Sequence, residues 1–291
     1  MSSRPWLCAL LIAGLAGLAG SACVDGAAPG GDAPETPPEV TAAALVDRET
    51  VTITLPLQRY AMTWEEEKVV LAAQQIVFAQ CVTGLADPPP SALDAAIRTL
   101  ALEASPNPWL YGFWSAEFVA ENGYVPLFSE VTLGDGLDVT SEQGSACVAS
   151  PEYMALDLID PTYLTQSREG DLLGQLVGET MAQTVTDDRF VTLAKARRDC
   201  ITESGYQADP DSELMSVVIK DEWNYEQKLQ AAIVEAQCSD GLDLVQQAAN
   251  LNATYEQLAI DRNQAELVAI RQIAVSRAEK ARQILIDYGV M

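Results

Sequence analysis

Histidine is absent from this 291-residue chain, and its absence excludes several kinds of active site. It is the most frequent general base of enzymes and the most frequent metal ligand of proteins. Ser-His-Asp sites, Cys-His sites and histidine-bearing zinc sites are therefore impossible. The remaining sequence has no nucleophile–base pairing, phosphate-binding loop or metal-ligand spacing. We therefore predict a non-catalytic protein that uses no cofactor and binds no metal.

Basic residues are scarce. The chain has 17 lysines and arginines against 42 acidic residues, which gives a net charge of −25. A polyanion of this kind repels nucleic acid phosphates and anionic lipid headgroups, which excludes a nucleic-acid partner. The hydrophobic fraction of 48% is nevertheless enough for a buried core.

The N-terminus has the three parts of a secretory signal peptide. Arg4 precedes an apolar run from Trp6 to Ala19, and small residues follow it up to Cys23. A charged start, an apolar run of this length and small residues at its end are typical of such leaders. As a helix the run would span roughly 21 Å, less than the ~30 Å hydrocarbon core of a membrane. Residues 1–22 are therefore predicted to be a signal peptide.

The small residues that end in Cys23 resemble a bacterial lipobox, although Gly20 stands where leucine is usual. In a lipobox the cysteine becomes the acylated first residue. We therefore predict lipidation of Cys23 and anchoring to the outer face of the cell membrane; the alternative is cleavage after Ala22 and secretion. Residues 23–48 are predicted to be a disordered tether, because the stretch 25–39 holds four prolines and four acids and cannot form a core.

The rest of the chain predicts a mainly α-helical fold. Thr63 and Glu66 form a capping box at the start of one helix, and Gly84 ends it. A short extended segment precedes this helix. Further helices are predicted over 91–103, 111–121, 162–183 and 187–203, with 124–150 irregular. We expect residues 49–160 and 161–291 to form an N-terminal and a C-terminal helical unit.

The C-terminal region favours a long helix. Residues 224–288 contain no proline and a single glycine, Gly241. Apolar residues from Leu244 to Ile284 recur at heptad-like spacing, with a change of phase between Ala265 and Leu267. The pattern predicts a coiled-coil-like helix that is continuous through Gly241; a break there is the alternative. The expected fold is an irregular, disulfide-bridged helical bundle with this long helix at its end.

Four cysteines remain after Cys8 leaves with the leader and Cys23 is acylated: Cys81, Cys147, Cys200 and Cys238. An even number in an exported protein favours two disulfides, with three possible connectivities. The sequences after Cys81 and Cys200 both contain a glycine and end in Asp-Pro, which indicates two copies of one helix–cysteine–turn unit. We therefore predict that each copy pairs with the next cysteine, as Cys81–Cys147 and Cys200–Cys238.

Two further groups of residues are candidates for ligand binding. The aromatic side chains of Trp109, Tyr111 and Trp114 could form a surface for a glycan or an apolar molecule, with packing against neighbouring helices as the alternative. The acidic turns 135–138 and 157–160 could offer oxygen atoms to calcium. Neither turn matches an EF-hand loop, so solvated turns are favoured.

Several short motifs resemble a family of secreted actinobacterial lipoproteins over residues 50–290. They are Pro56-Leu57 with Tyr60, Tyr111-Gly112, Arg198-Asp199-Cys200 with Gly205-Tyr206, and Ala236-Gln237-Cys238. The chain departs from the family at Val82, where methionine is usual. The family has no established activity, so the resemblance implies localisation and architecture alone.

These features together predict an extracytoplasmic lipoprotein with an interaction or spacer role, which contacts an envelope protein through its C-terminal helix. The alternative function is a binding protein for a small ligand, glycan or cation.

Overall fold

Helices make up most of the residues that this computed structural model describes, which are 37–102, 110–124, 141–156, 172–212, 214 and 216–291. The predicted mainly α fold is therefore confirmed. The helices are α1 (Trp64–Thr83), α2 (Pro90–Leu100), α3 (Ala116–Asn122), α4 (Glu142–Val148), α5 (Pro151–Met154), α6 (Leu172–Thr186), α7 (Asp188–Glu203), α8 (Tyr225–Gly241), α9 (Leu244–Arg262) and α10 (Gln264–Asp287). Before them come the strands β1 (Leu45–Asp47) and β2 (Thr52–Thr54) and a 3₁₀ turn, η1 (Pro56–Tyr60).

Residues 38–48 form a strap that lies along α9. The Ala42 N–H donates to Thr254 Oγ1 at 3.3 Å, and the Ala44 N–H donates to Asn250 Oδ1 at 3.0 Å. The strap ends in β1, which pairs antiparallel with β2. The predicted disordered tether is therefore wrong over its last residues. Small apolar side chains such as Ala44 are buried against the helix, and α9 side chains bind the backbone of the strap.

Helix α1 begins and ends where the sequence predicts. The Glu66 N–H donates to Thr63 Oγ1 at 3.3 Å, and the Thr63 N–H donates back to Glu66 Oε2 at 2.8 Å. Gly84 ends the helix with a φ of +66°, a left-handed conformation that glycine adopts without steric cost.

The described part of residues 36–291 belongs to one compact unit, so the predicted units 49–160 and 161–291 are not separate bodies. Helix α1 packs against α2 and α10. Val70 and Ile76 of α1 share a buried cluster with Ala274 of α10. The physical reason is that α1 is buried on several sides and needs partners from both halves of the chain.

The predicted continuous helix through Gly241 is wrong, because α8 ends at this residue. Asp243 follows with a φ of +48°, a left-handed conformation that does not fit inside a helix. A second break lies at Asn263, with a φ of −123° and an Nδ2 that donates to the Ala259 carbonyl at 2.8 Å. The break at Asn263 is close to the change of phase in the apolar stripe. The stripe changes phase because α9 packs on α6 whereas α10 packs on α1.

Other stretches also differ from the predicted secondary structure. Residues 141–148, predicted to be irregular, contain the short helix α4, whose first turn is capped by a bond from the Gly144 N–H to Ser141 Oγ at 3.0 Å. The helix predicted over 111–121 begins only at Ala116, because the backbone before it binds other elements. The helix predicted over 162–183 is α6, and residues 157–171 lie outside the described ranges.

Both disulfides of the structure join the cysteines that the sequence pairs. Cys81 at the end of α1 is bonded to Cys147 of α4, with 5.7 Å between their Cα atoms. Cys200 of α7 is bonded to Cys238 of α8, with 5.8 Å between the Cα atoms. The two bonds therefore fasten two different pairs of helices.

Candidate functional site

Two of the three aromatic residues proposed as a ligand surface, Tyr111 and Trp114, are buried in the core. Tyr111 is 0% exposed and Trp114 is 2% exposed, so neither side chain can reach a ligand in solvent. The Tyr111 ring lies 6.4 Å from the Phe190 ring, and its hydroxyl accepts a bond from Asn252 Nδ2 at 3.2 Å. Core packing, the alternative, describes both side chains. Trp109 lies outside the described residues.

The most unusual electrostatic feature among the described residues is a fully buried ion pair between α7 and α8. Arg197 and Glu235 are each 0% exposed, and Arg197 Nη1 lies 3.7 Å from Glu235 Oε1. Cys200 and Cys238 follow them by three residues on their respective helices. The ion pair and the disulfide therefore join the same two helices, about one turn apart.

Both members of the pair are bonded to irregular backbone. Arg197 Nη1 donates to the Tyr111 carbonyl at 2.6 Å, and Nη2 donates to the Leu214 carbonyl. Glu235 Oε1 accepts from the Phe113 N–H at 2.9 Å, and Oε2 accepts from the Val217 N–H at 2.7 Å. The two charges thus hold the segment 111–113, Leu214 and Val217 against α7 and α8.

Gly112 fits between these charged groups because it has no side chain. Its φ is +84°, and a Cβ at this position would lie 2.3 Å from Glu235 Oε1 and 2.7 Å from Arg197 Nη1. Any larger residue would have to push the pair apart. The helix predicted over 111–121 does not form at its start, because the Tyr111 carbonyl and the Phe113 N–H are bonded to the pair.

Burial lowers the pKa of Arg197, and the carboxylate of Glu235 acts in the opposite direction. A guanidinium starts from so high a pKa that it keeps its proton in a protein. Arg197 is therefore a permanent, solvent-inaccessible cation with a carboxylate beside it. Both side chains are closed to solvent, and the geometry of the pair points to a positioning role within the fold.

A second polar cluster fastens the strap to α7 and α9. Arg189 donates two bonds to the Asp187 carboxylate, at 2.8 and 2.7 Å, and a third to the Pro38 carbonyl at 2.9 Å. The Tyr255 hydroxyl donates to Asp187 Oδ2 at 2.8 Å. The bonds from Arg189 hold the pKa of Asp187 at about 2, and burial with the Asp187 charge raises the pKa of Tyr255 to about 12.

Glu256 of α9 is a buried carboxyl group that was not identified from the sequence. It is 1% exposed, and its Oε2 accepts a bond from the Leu57 N–H of η1 at 2.8 Å. No ion pair joins it to another described residue. Burial raises the pKa of Glu256 to about 7, with the Leu57 bond acting against the shift. The signal that could have identified it is that Ala253, Ala259 and Ile260, three or four residues away on the same side of the helix, are apolar.

The three groups support the structure and do not converge on an open site. Within the described ranges, no set of three or more histidine, cysteine, aspartate or glutamate residues is placed to hold a metal ion. The acidic turns 135–138 and 157–160 lie outside these ranges. Comparison of the chain with protein-family models, with curated proteins and with solved structures finds no match. The resemblance to secreted actinobacterial lipoproteins therefore stays a prediction.

Glu256 should make the free energy of unfolding depend on pH. Its native pKa of about 7 lies above the ordinary value of 4.5, so the folded state binds the proton more tightly than the unfolded state does. The stabilisation is complete below pH ~4.5 and is lost as the pH rises through ~7. For Glu256→Gln, whose amide oxygen still accepts the Leu57 bond, we expect this loss of about 3 kcal/mol to disappear. Urea unfolding at pH 5 and pH 8 measures it.

The matched control is Glu266→Gln, which changes an exposed carboxylate on α10. It should keep the pH dependence of the unchanged protein. If Glu256→Gln lost as much stability between pH 5 and pH 8 as this control, the buried neutral carboxyl would be refuted.

Proposed function

We propose that this chain is an exported lipoprotein of the cell envelope with a non-catalytic role, as an interaction or spacer protein at the outer face of the membrane. The observation that carries the proposal is the use of its buried charges. The buried acidic and basic side chains that the structure describes, chief among them Arg197, Glu235 and Asp187, bind backbone groups or side chains of the fold itself. They hold the fold together and, being buried, are closed to a substrate in solvent.

The disulfides support an oxidising location. Bonds of this kind persist outside the cytosol and are rare within it, in keeping with the predicted leader at residues 1–22. No described helix combines the length and the apolar character needed to cross a bilayer. Attachment in this proposal therefore depends on acylation of Cys23.

The position of the strap limits how far the folded unit can lie from an acylated Cys23. Pro38 is already fixed by Arg189, so the chain between Cys23 and Pro37 is what separates an acyl group from the folded unit. A segment of this length spans at most about 50 Å when fully extended and roughly 20 Å on average as a flexible chain. These distances suit a domain that is held near a membrane while it contacts a neighbour.

Helix α10 supplies the candidate surface for that neighbour. Val268 and Ile286 are 43% and 49% exposed, and about five turns of 3.6 residues separate them, so they lie on the same side of the helix. Helix α10 has four basic and three acidic residues, and an anionic envelope partner would be repelled less here than by the acidic remainder. The alternative, small-ligand binding, loses the support of Tyr111 and Trp114.

Acylation of Cys23 should make the protein a lipid-labelled membrane component. Cells that express the full chain are grown with a radiolabelled fatty acid, and the protein is followed by gel and by fractionation. We expect label in the membrane fraction, and we expect Cys23→Ala to lose the label and to be released. Cys8→Ala, which changes a residue of the leader, is the control and should keep the label. Absence of label from the unchanged protein would contradict the anchor.

A partner on α10 should be captured from one side of the helix. A photo-crosslinking amino acid is placed at Val268 or Ile286, and as a control at exposed Lys280, which lies on another side. We expect a discrete crosslinked protein from the first two positions and not from the third. These substitutions preserve the core, whereas deletion of residues 241–291 would remove α9, with buried Leu244 and Leu251. Equal crosslinking from all three positions, or none, would count against a partner here.

A further inference from the structure

The two disulfides differ in how far they are sheltered from solvent. Cys81 is exposed and its partner Cys147 is 2% exposed. Cys200 is half-buried and its partner Cys238 is 4% exposed. Reduction begins with in-line attack of a thiolate on one sulfur of the bond, so the accessibility of the more exposed sulfur controls the rate.

The bond between Cys200 and Cys238 lies within an apolar cluster. Ile201, Val217 and Ala231 are buried in this cluster, and the rings of Tyr206 and Trp223 pack edge to face at its margin, with centroids 6.1 Å apart. The Arg197–Glu235 pair lies one turn away on the same helices. Separation of α7 from α8 would therefore pull two buried opposite charges apart, which is strongly unfavourable.

The bond between Cys81 and Cys147 lies at the periphery. Cys147 shares a small cluster with buried Phe78 and Tyr153, and the Gln143 amide donates to the Val82 carbonyl at the end of α1. Helix α4 packs on α1 and α5, and among the described residues neither end of this bond carries a buried ion pair. Its opening would detach a short helix from the end of α1 and leave the central charges paired.

We propose that Cys81–Cys147 is a redox-responsive bond that a protein dithiol of the envelope can open while Cys200–Cys238 stays closed. The dithiol is a thiol–disulfide oxidoreductase in its reduced form. Its thiolate attacks the sulfur of Cys81, the more exposed residue of the bond, a mixed disulfide forms, and Cys147 leaves as a thiolate that takes a proton.

The second thiol of the reductant then attacks the mixed disulfide and releases Cys81 as a thiol. Two electrons pass from the dithiol to the protein, and the reductant leaves as a disulfide. The inference rests on the proposed function only for its partner, because a reduced oxidoreductase of this kind is expected in the cell envelope. The reduction rates are measured on purified protein, so their outcome does not depend on whether the chain is exported.

The test follows the four cysteines separately. The full-length oxidised protein is exposed to reduced thioredoxin or to dithiothreitol under native conditions, sampled over time, alkylated and digested, and each cysteine peptide is quantified. We expect Cys81 and Cys147 to be alkylated together, at least about tenfold faster than Cys200 and Cys238, because opening of the central bond requires disruption of the core. Hydrogen exchange should rise in α4 and stay unchanged in α7 and α8.

A common rate for all four cysteines, or faster reduction of Cys200–Cys238, would overturn the proposal. The reduction rates are compared within the unsubstituted protein, so the test does not depend on whether a variant folds. The double variant Cys81→Ser with Cys147→Ser is the matched control. It should keep the slow reduction of Cys200–Cys238, and an acceleration of this reduction would show that the two bonds are not independent.

Discussion

The buried pair of Arg197 and Glu235 is the constraint on which the arrangement of the described helices depends. Removing two charges from water costs several kcal/mol per ion, and their mutual attraction offsets this only when further hydrogen bonds satisfy them. Both charges have such bonds, to backbone groups of Tyr111, Phe113, Leu214 and Val217. None of these four residues lies in a helix or in one of the two paired strands. The pair therefore fixes chain that has little regular secondary structure, apart from one bridge between Val217 and Ala208.

The same principle recurs at the edge of the fold. Asp187, Arg189 and Tyr255 fix the strap at Pro38, and the Glu256 carboxyl fixes η1 on α9. Basic residues are scarce in this chain, and the two in these clusters, Arg189 and Arg197, bind backbone carbonyls of other segments. This use of charge supports the proposal that function lies on the outside, through attachment at the N-terminus and contact along α10.

Most helices and both disulfide pairs could be predicted from the sequence, whereas the burial of individual polar and aromatic side chains and the breaks in the C-terminal helix could not. The capping box of Thr63 and Glu66 lies within four residues and forms as expected. The burial of Tyr111 depends on Asn252 and Phe190, which are far along the chain, and nothing near Tyr111 indicates it. Arg197 stands beside Arg198 in a polar sequence that is typical of an exposed helix surface. The break at Asp243 depends on one left-handed residue in a region of good helix formers, which composition alone does not reveal.

The central role of the Arg197–Glu235 pair is tested most directly by the free energy of unfolding of Gly112→Ala. Chemical unfolding compares it with that of Gly84→Ala. Both glycines have a positive φ, but a Cβ at Gly84 would meet nothing within 4 Å, whereas one at Gly112 would collide with both charged groups. We predict a loss of about 1 kcal/mol at Gly84, from the left-handed backbone alone. At Gly112 we predict a further loss of at least about 3 kcal/mol, from overpacking and disruption of the pair. Equal losses at the two positions would contradict a central role for the Arg197–Glu235 pair.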